Sequence, residues 1–339
     1  MMYNEINLQL FAEPAVQTTL LNNKAGLNDL SPEMKTFYDM TLIDEASANL
    51  VHDQFGQKRP IPANGGKTIE FRKFSSLPKA TTAITEGVTP AGNKLNVTAF
   101  TATVEQYGDF ITQSDVLELT SLDNTILEAT KLLGKQAGVT LDTIVREKLM
   151  TGKNVLYCPK VVGGTETVID SRDALTNECQ LTVKQIQKAV AILRGQNAPT
   201  IGGKYVAIIH PYIAYDLMRD PEWIDAHKYA NPTNLYEGEI GEIAGVRFVQ
   251  TTEAKVFKGG IFATLVIGEG AYGVTEISGG GLQTIVKQKG SAGTADPLDQ
   301  RSSVGWKAMK TAELLVDAYM VRIESKSAEW SGMFTENGN

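Results

Sequence analysis

Residues 83–118 read AITEGVTPAGNKLNVTAFTATVEQYGDFITQSDVLE, and this stretch decides the fold of the 339-residue chain. The polar segment 75–96, rich in Ser, Thr, Lys, Pro and Gly, is followed by strand-like residues at Leu95–Phe100 and Thr103–Ile111. Upstream, Thr68–Phe74 alternates between apolar and polar residues in the same way. The sequence therefore predicts two strands that flank an excursion too long for an ordinary hairpin connection, and such excursions are either functional or disordered.

The segment after this stretch predicts one long helix. Between Ser121 and Met150 apolar residues recur at helical spacing, and Gly152 ends the pattern. A helix of this length would reach roughly 40 Å and serve as the spine of a domain. Its predicted buried stripe consists of Ile126, Ala129, Leu133, Ala137, Leu141, Ile144, Val145 and Leu149.

The other segments predict short helices and strands. The first thirty residues lack periodicity and are expected to form an extended arm, and Ser31 and Pro32 begin a helix. Residues 153–294 form a compact second unit with further strands near 245–250, 261–267 and 282–288. The apolar segment Ser303–Glu324 is predicted to supply two late strands that close an earlier domain. This mixture predicts an α+β fold.

Two helix starts in the second unit have recognisable signals. Thr182–Gln185 matches a capping box, and Gly195 stops the helix that follows. Tyr205–Ile209 is predicted to be a buried strand, after which His210 and Pro211 begin another helix, because proline suits a first helical turn.

Composition excludes several classes of function. The net charge is -7 and the pI about 5.2, so no basic excess supports nucleic-acid binding as the main activity. Cys158 and Cys179 have neither CxxC spacing nor a disulfide framework, and reduced thiols are expected. The N-terminus has an acidic residue where a secretion signal needs positive charge, and no apolar stretch approaches the roughly 20 residues of a membrane span. The sequence therefore predicts a soluble protein.

Motifs that imitate enzyme sites fail on spacing. Gly65–Thr68 resembles the end of a phosphate-binding loop, but Ile61 holds the position of its first glycine and a strand follows. Gly279–Gly281 lacks dinucleotide-binding spacing, and Gly290–Gly293 is not a nucleophile elbow. We read these segments as turns.

Histidines give no better support for catalysis. His210 stands between a strand and a helix, a position that catalytic residues use in α/β folds, but a turn residue there is the more frequent case. His52, His210 and His227 lie far apart in sequence without a metal-binding pattern. We therefore assign no catalytic, cofactor-binding or metal-binding residue, expect no cofactor, and predict that the chain is not an enzyme.

The order of features resembles a known family, the major capsid proteins of tailed bacteriophages, whose fold is shared with encapsulin shells. Within the opening stretch, the motifs that carry the resemblance are Ala83–Pro90 with its Glu-Gly turn, the strand 96–111 and the step Thr112–Glu118 into the spine helix. Farther along they are Ile209–Asp220, Gly241–Gln250, Asp296–Arg301 and Val304–Lys307. Each motif alone is weak, whereas their order along one chain is specific.

This resemblance implies a domain organisation. An N-terminal arm and helix would occupy 1–56, an extended loop 57–108, a peripheral domain with the spine helix 109–150 and 295–339, and an axial domain 151–294. No long scaffolding region precedes the arm, so a separate scaffolding protein, or none, is expected. Some relatives crosslink subunits through a lysine and an asparagine; Lys79 invites the comparison, but no partner asparagine is identified.

The resemblance also implies function, partners and location. The chain would self-assemble, as pentamers and hexamers, into the icosahedral shell that encloses double-stranded DNA, without reading the DNA sequence. A portal protein is an expected partner, a separate scaffolding or decoration protein is left open, and no membrane is involved. The protein would reside in the virion after assembly in the bacterial cytoplasm. Two alternatives stay open: an encapsulin-like compartment, and a hydrolase or nucleotide-dependent enzyme resting on His210 and the glycine loops.

Overall fold

The computed structural model describes residues 32–47, 49–74, 77–84, 86–89, 92–121, 125–230, 241–291 and 296–330. Its helices are α1 (Pro32–Ser47), α2 (Asp115–Thr120), α3 (Thr125–Leu149), α4 (Val183–Gly195), α5 (Pro211–Met218) and α6 (Pro221–Ala230). Its first strands are β1 (Gln57–Lys58), β2 (Thr68–Phe74), β3 (Val97–Thr103), β4 (Glu105–Ser114), β5 (Val155–Tyr157), β6 (Lys160–Val162), β7 (Thr165–Thr167) and β8 (Tyr205–Ile209). The later strands are β9 (Glu242–Ile243), β10 (Val246–Gln250), β11 (Val256–Phe257), β12 (Ile261–Ile267), β13 (Tyr272–Glu276), β14 (Gln283–Lys287), β15 (Arg301–Leu314) and β16 (Met320–Lys326). The predicted arm, residues 1–30, lies outside the described residues.

The chain divides into two compact units. The first takes α1 up to Glu45, the segment Gly108–Lys135, and Leu282–Lys307. The second contains the other described residues, including β2 and β3, the C-terminal part of α3, and the whole segment 136–281. The mixed helix-and-sheet architecture confirms the predicted α+β class.

The core of the second unit is a mixed sheet with strand order β5-β16-β12-β8-β10-β9, and β11 pairs with β12. All residues of β8 and β12 are buried, because each of these strands has a neighbour on both sides and apolar side chains on both faces. Apolar faces of α4 and α5 pack on this sheet through Ile186, Leu193 and Leu217. The predicted buried strand Tyr205–Ile209 is thereby confirmed.

The long helix α3 confirms most of the predicted spine. Six of the eight predicted stripe residues are buried, and Ile126 and Ile144 are half-buried. The predicted start was too early, because Ser121 has extended backbone and caps the separate helix α2. Two glycines let α1 approach α3 closely: a Cβ on Gly134 would lie 2.8 Å from the Leu42 carbonyl oxygen, and one on Gly138 2.4 Å from that of Ala46.

Helix α4 starts where we predicted, but the side chain that caps it belongs to a different residue. Thr182 occupies the N-cap position without a capping hydrogen bond from its side chain. Instead the Val183 backbone N–H donates to a carboxylate oxygen of Asp220 at 2.8 Å. The predicted capping box is therefore wrong in its bonding, because a carboxylate distant in sequence accepts the N–H of Val183, the first residue of the helix.

The two predicted late strands are confirmed as β15 and β16. In the first unit, Ser303–Lys307 of β15 pairs with β14, and Gly108 and Gly305 allow β4 to lie against the same strand. In the second unit, Lys310–Leu314 pairs with β13, while β16 lies between β12 and β5.

Candidate assembly surface

The extended loop begins and ends as a regular hairpin. Strands β2 and β3 pair antiparallel in unbroken register from Thr68 and Thr103 to Phe74 and Val97. Beyond this ladder, every described side chain between 77 and 96 is exposed, and those residues form no helix or strand. The exposed side chains include Leu77, Ile84, Val88 and Leu95. Large apolar groups in the described part of the loop thus remain open to solvent in the single subunit.

The root of the extended loop, by contrast, is fixed. Phe71 is only 2% exposed, and its ring packs against Gly273, where a Cβ would lie 2.8 Å from the ring. Strand β1 pairs in parallel with β13, and the Arg59 and Ile61 N–H groups donate to carbonyls of the segment Val274–Glu276. The loop therefore projects from a fixed base, whereas the described side chains of its distal part are exposed.

The root includes the segment just before β1, and a buried polar cluster ties Val51 and His52 of that segment to α3. Asp142, on α3, accepts hydrogen bonds from the Val51 and His52 N–H groups at 2.9 and 2.7 Å, and its other oxygen lies 2.6 Å from His52 Nδ1. The Tyr272 hydroxyl donates to the His52 carbonyl. Burial, with the nearby carboxylates Asp53 and Asp142, raises the pKa of Tyr272, which keeps it a protonated donor.

Exposed apolar side chains are concentrated in two regions. Among the described residues, 21 large apolar side chains stay exposed, of which 11 belong to the first unit and 6 to the extended loop. Those of the first unit are Phe37, Met40, Ile43, Phe110, Ile111, Val116, Leu117, Leu119, Leu132, Ile285 and Leu298. Concentrations of exposed apolar surface mark interaction sites, so these two regions are the candidate assembly surface.

The histidines flagged by sequence do not form a site. His210 caps α5: its Nδ1 accepts the Tyr212 N–H at 3.3 Å. Burial lowers the pKa of His210 to about 4. His52 contacts Asp142. The structure does not describe the side chain of His227. Within the described ranges, no group of three or more His, Cys, Asp or Glu side chains could hold a metal ion.

The glycine motifs and cysteines have structural surroundings. Thr68 begins strand β2, not the helix of a phosphate-binding loop. At Gly279–Gly281 the chain makes a tight turn, closed by a hydrogen bond from Gly280 N to Ile277 O at 2.7 Å. Cys158 and Cys179 are free and buried, and burial raises the pKa of the Cys158 thiol. None of the helices in the described ranges is long and apolar enough to cross a membrane.

Comparison with known proteins bears on the segment from α3 to β12. Residues 124–269 match the family of phage capsid proteins. No match to the sequence was found among curated proteins. The matched residues include the spine helix and most strands of the second unit's sheet.

Solved phage capsids resemble a larger part of the chain. The capsid protein of cyanophage P-SCSP1u matches with a TM-score of 0.65 and 15% identity, over 82% of this chain and 89% of that chain. That of Ralstonia phage GP4 gives 0.61 and 14%, over 82% and 88%. The chain has the fold of a tailed-phage major capsid protein. Family match and fold together confirm the predicted function, a major capsid protein of a phage shell, and its place in the virion.

A third relative tests the alternative reading of this capsid protein. The virus-like particle from Pyrococcus furiosus matches with a TM-score of 0.50 and 9% identity, over 86% of this chain and 99% of that chain. The two phage capsids match with higher TM-scores and identities than this particle does, and the sequence matches the phage capsid family, so an encapsulin-like compartment is the less supported function.

Sequence reasoning missed the residue that joins spine helix and loop root in this capsid protein. Asp142 lies between Leu141 and Val145 of the apolar stripe, and it is fully buried. A carboxylate on a buried helix face is the one signal that could have indicated it, because such a group requires hydrogen-bonding partners.

Proposed function

We propose that copies of this chain build a closed icosahedral shell around double-stranded DNA, and that the extended loop of each subunit lies on a neighbouring subunit. The observation that carries this proposal is the contrast within the loop. Its root is fixed by Phe71 and β1, whereas every described side chain from 77 to 96 is exposed. A loop with a fixed root and exposed distal side chains is suited to contact a neighbouring subunit.

The apolar side chains make this contact favourable. Burying a Leu, Ile or Val side chain is worth roughly 1.5–3 kcal/mol. Leu77, Ile84, Val88 and Leu95 are each more than half exposed in the single chain. Because a shell repeats each contact around the lattice, a modest gain per subunit stabilises the whole assembly.

The domain organisation forms part of the proposal. The arm and first helix occupy 1–56, the peripheral domain comprises 109–150 and 295–339, and the axial domain is 151–294. The first compact unit supports a domain built from distant segments, since it combines Gly108–Lys135 with Leu282–Lys307.

The remaining elements of the proposal concern chemistry and partners. We propose no enzymatic activity: a groove of about 610 Å³ beside α4 is lined by residues such as Gln187 and Arg194, and none of the flagged residues lines it. The net charge of -7 favours weak contact with DNA that is independent of base sequence. Assembly would occur in the bacterial cytoplasm, with a portal protein and, where one is used, a scaffolding or decoration protein.

The test replaces Ser75–Gly92 with a short Gly-Ser turn. Because the described side chains of this segment are all exposed, circular dichroism and the melting temperature of the subunit should stay near wild type. Electron microscopy should show that shells are absent or aberrant. A matched control keeps the native length with a Gly-Ser sequence and separates the loss of reach from the loss of side chains. Normal closed shells from the shortened variant would refute the assigned role of the loop.

A further inference from the structure

The two cysteines of the chain lie at the same place beside strand β16. Strand β5 pairs in parallel with β16, and just beyond β5 the Cys158 N–H donates to the Glu324 carbonyl at 3.0 Å. The next bond on this side of β16 runs from the Lys326 N–H to the Cys179 carbonyl, also at 3.0 Å. In a regular parallel ladder, a single residue opposite Ser325 would make both bonds. The two cysteines divide these bonds between them, so both border the same residue of β16.

Further contacts hold together the two ends of the segment between the cysteines. The Val161 N–H donates to the Glu178 carbonyl at 3.3 Å, and Lys160 Nζ lies 2.9 Å from the Glu178 carboxylate. The hairpin of β6 and β7 lies between these contacts, so the chain leaves β16 at Cys158 and returns to it at Cys179. This geometry separates the two Cα atoms by no more than about two residue spacings of a strand, roughly 7 Å. Disulfides join Cα atoms that are about 4.4–6.8 Å apart.

Both thiols are shielded from water. Cys158 and Cys179 are each 0% exposed, and they belong to one apolar cluster with Leu175, Leu181 and Ile186. Burial, and after it the nearness of Cys179, raises the pKa of the Cys158 thiol, which therefore stays protonated in the folded subunit. Any reagent in solution reaches the pair only when the segment between the cysteines opens locally, so the reaction of the thiols is slow.

The two thiols differ in their surroundings. The Thr176 N–H donates to Cys179 Sγ at 3.4 Å, and a donor at this position stabilises negative charge on the sulfur. Glu178 raises the pKa of Lys160, with a smaller contribution from Cys179, which places the Lys160 cation within electrostatic reach of that sulfur. Cys179 is therefore the better nucleophile of the two once the segment opens.

We propose that Cys158 and Cys179 form a latent disulfide, which closes when the protein meets a small disulfide such as oxidised glutathione. Cys179 gives its proton to water, and the thiolate attacks one sulfur of the small disulfide, breaking its S–S bond and releasing one small thiolate. That thiolate takes the proton of Cys158. The Cys158 sulfur then attacks Cys179 Sγ, which forms the new S–S bond and displaces a second small thiolate, and this thiolate is protonated by the solvent. The protein loses two electrons, and the small disulfide is reduced to two thiols.

The cross-link would stabilise the second unit without constraining its folding. Under the reducing conditions of a cytoplasm the pair remains two thiols, whereas a virion outside the cell meets oxidising solution. Closing the segment 158–179 removes conformational freedom from the unfolded chain, and we expect the melting temperature to rise by about 4–8 °C. The inference goes beyond the proposed shell function, because it concerns a covalent bond within one subunit and does not involve the extended loop.

The test starts from the purified wild-type chain, fully reduced and then incubated with oxidised glutathione. After denaturation, a thiol-specific reagent should find the free thiols reduced from two per chain to none, and the intact mass should fall by about 2 Da. Because the chain has only two cysteines, migration as a single chain on a non-reducing gel shows that the bond is internal. Reductant should restore both thiols and the original melting temperature.

Two matched variants test the order of the steps. Cys158→Ala and Cys179→Ala each keep one thiol and replace the other by a small apolar side chain. Each variant can form only a mixed disulfide with glutathione. It should accumulate about tenfold faster on Cys179 in the first variant than on Cys158 in the second. Neither variant should gain the rise in melting temperature that wild type shows.

Several results would overturn the inference. These are two thiols that persist even when mild denaturant opens the segment, a bond that forms mainly between chains, glutathione adducts on wild type that do not resolve, or a closed disulfide that lowers the melting temperature. The thiol count on wild type requires no substitution, so it decides the question even where a variant fails to fold. None of these results bears on shell formation, which electron microscopy of the reduced protein tests separately.

Discussion

Replacing Asp142 by alanine should destabilise the subunit severely, because one fully buried carboxylate holds three groups of the loop root. It accepts the Val51 and His52 N–H groups and contacts the His52 imidazole at 2.6 Å. Each buried group left unsatisfied costs about 1–3 kcal/mol. Three groups lose their partner together and their costs overlap, so we expect a loss of roughly 3–5 kcal/mol for Asp142→Ala.

Denaturant unfolding of dispersed subunits measures this loss, and Asp142→Asn is the matched control. The asparagine keeps an acceptor oxygen for the two backbone N–H groups, so its loss should be smaller, about 1–2 kcal/mol. Hydrogen exchange should show lost protection at Val51 and His52 in the alanine variant before global unfolding. If Asp142→Ala is within about 1 kcal/mol of wild type, the buried cluster does not fix the loop root as we describe it.

Two further predictions concern single residues. Leu133→Asp should unfold the region around α3, since Leu133 is 2% exposed and a buried unpaired carboxylate costs several kcal/mol. The control Leu132→Asp changes a neighbouring residue that is 65% exposed, and this variant should have a melting temperature near that of wild type. Equal melting temperatures for the two variants would show that the buried face of the helix is misplaced. Burial lowers the pKa of His210 from 6.5 to about 4. The unfolded state therefore takes up a proton below pH 6.5 that the folded state resists down to about pH 4, and stability present above pH 6.5 should decrease by about 3 kcal/mol across that interval. His210→Asn, which can still cap α5, should lack this share of the pH dependence in urea unfolding; identical slopes for both proteins would contradict it.

Much of the fold could be predicted because its signals are local. The stripe on α3, the apolar run Tyr205–Ile209 and the His210–Pro211 helix start each depend on residues within a few positions of one another. The polar segment between β2 and β3 likewise predicted an excursion without a core. The local sequence is enough to indicate the secondary structure of these segments, and the structure confirms it.

What could not be predicted depends on residues distant in sequence. Asp142 bonds to a segment 90 residues away, and Asp220 caps a helix that begins 37 residues earlier. A prediction from apolar periodicity also assigns every apolar residue to the core, whereas Leu119 and Leu132 of the first unit are exposed. In a protein that assembles, an apolar side chain can be reserved for a neighbouring subunit, and one sequence does not distinguish these two uses.

Electron microscopy of the purified chain, alone and with a scaffolding protein, tests the central claim most directly. We expect closed icosahedral particles, or rings of five and six subunits that convert to them when concentrated, and large DNA-filled heads when the remaining phage proteins are present. Small uniform shells with protein cargo would instead indicate an encapsulin-like compartment. A strictly monomeric protein in light scattering and in micrographs under all these conditions would contradict the account.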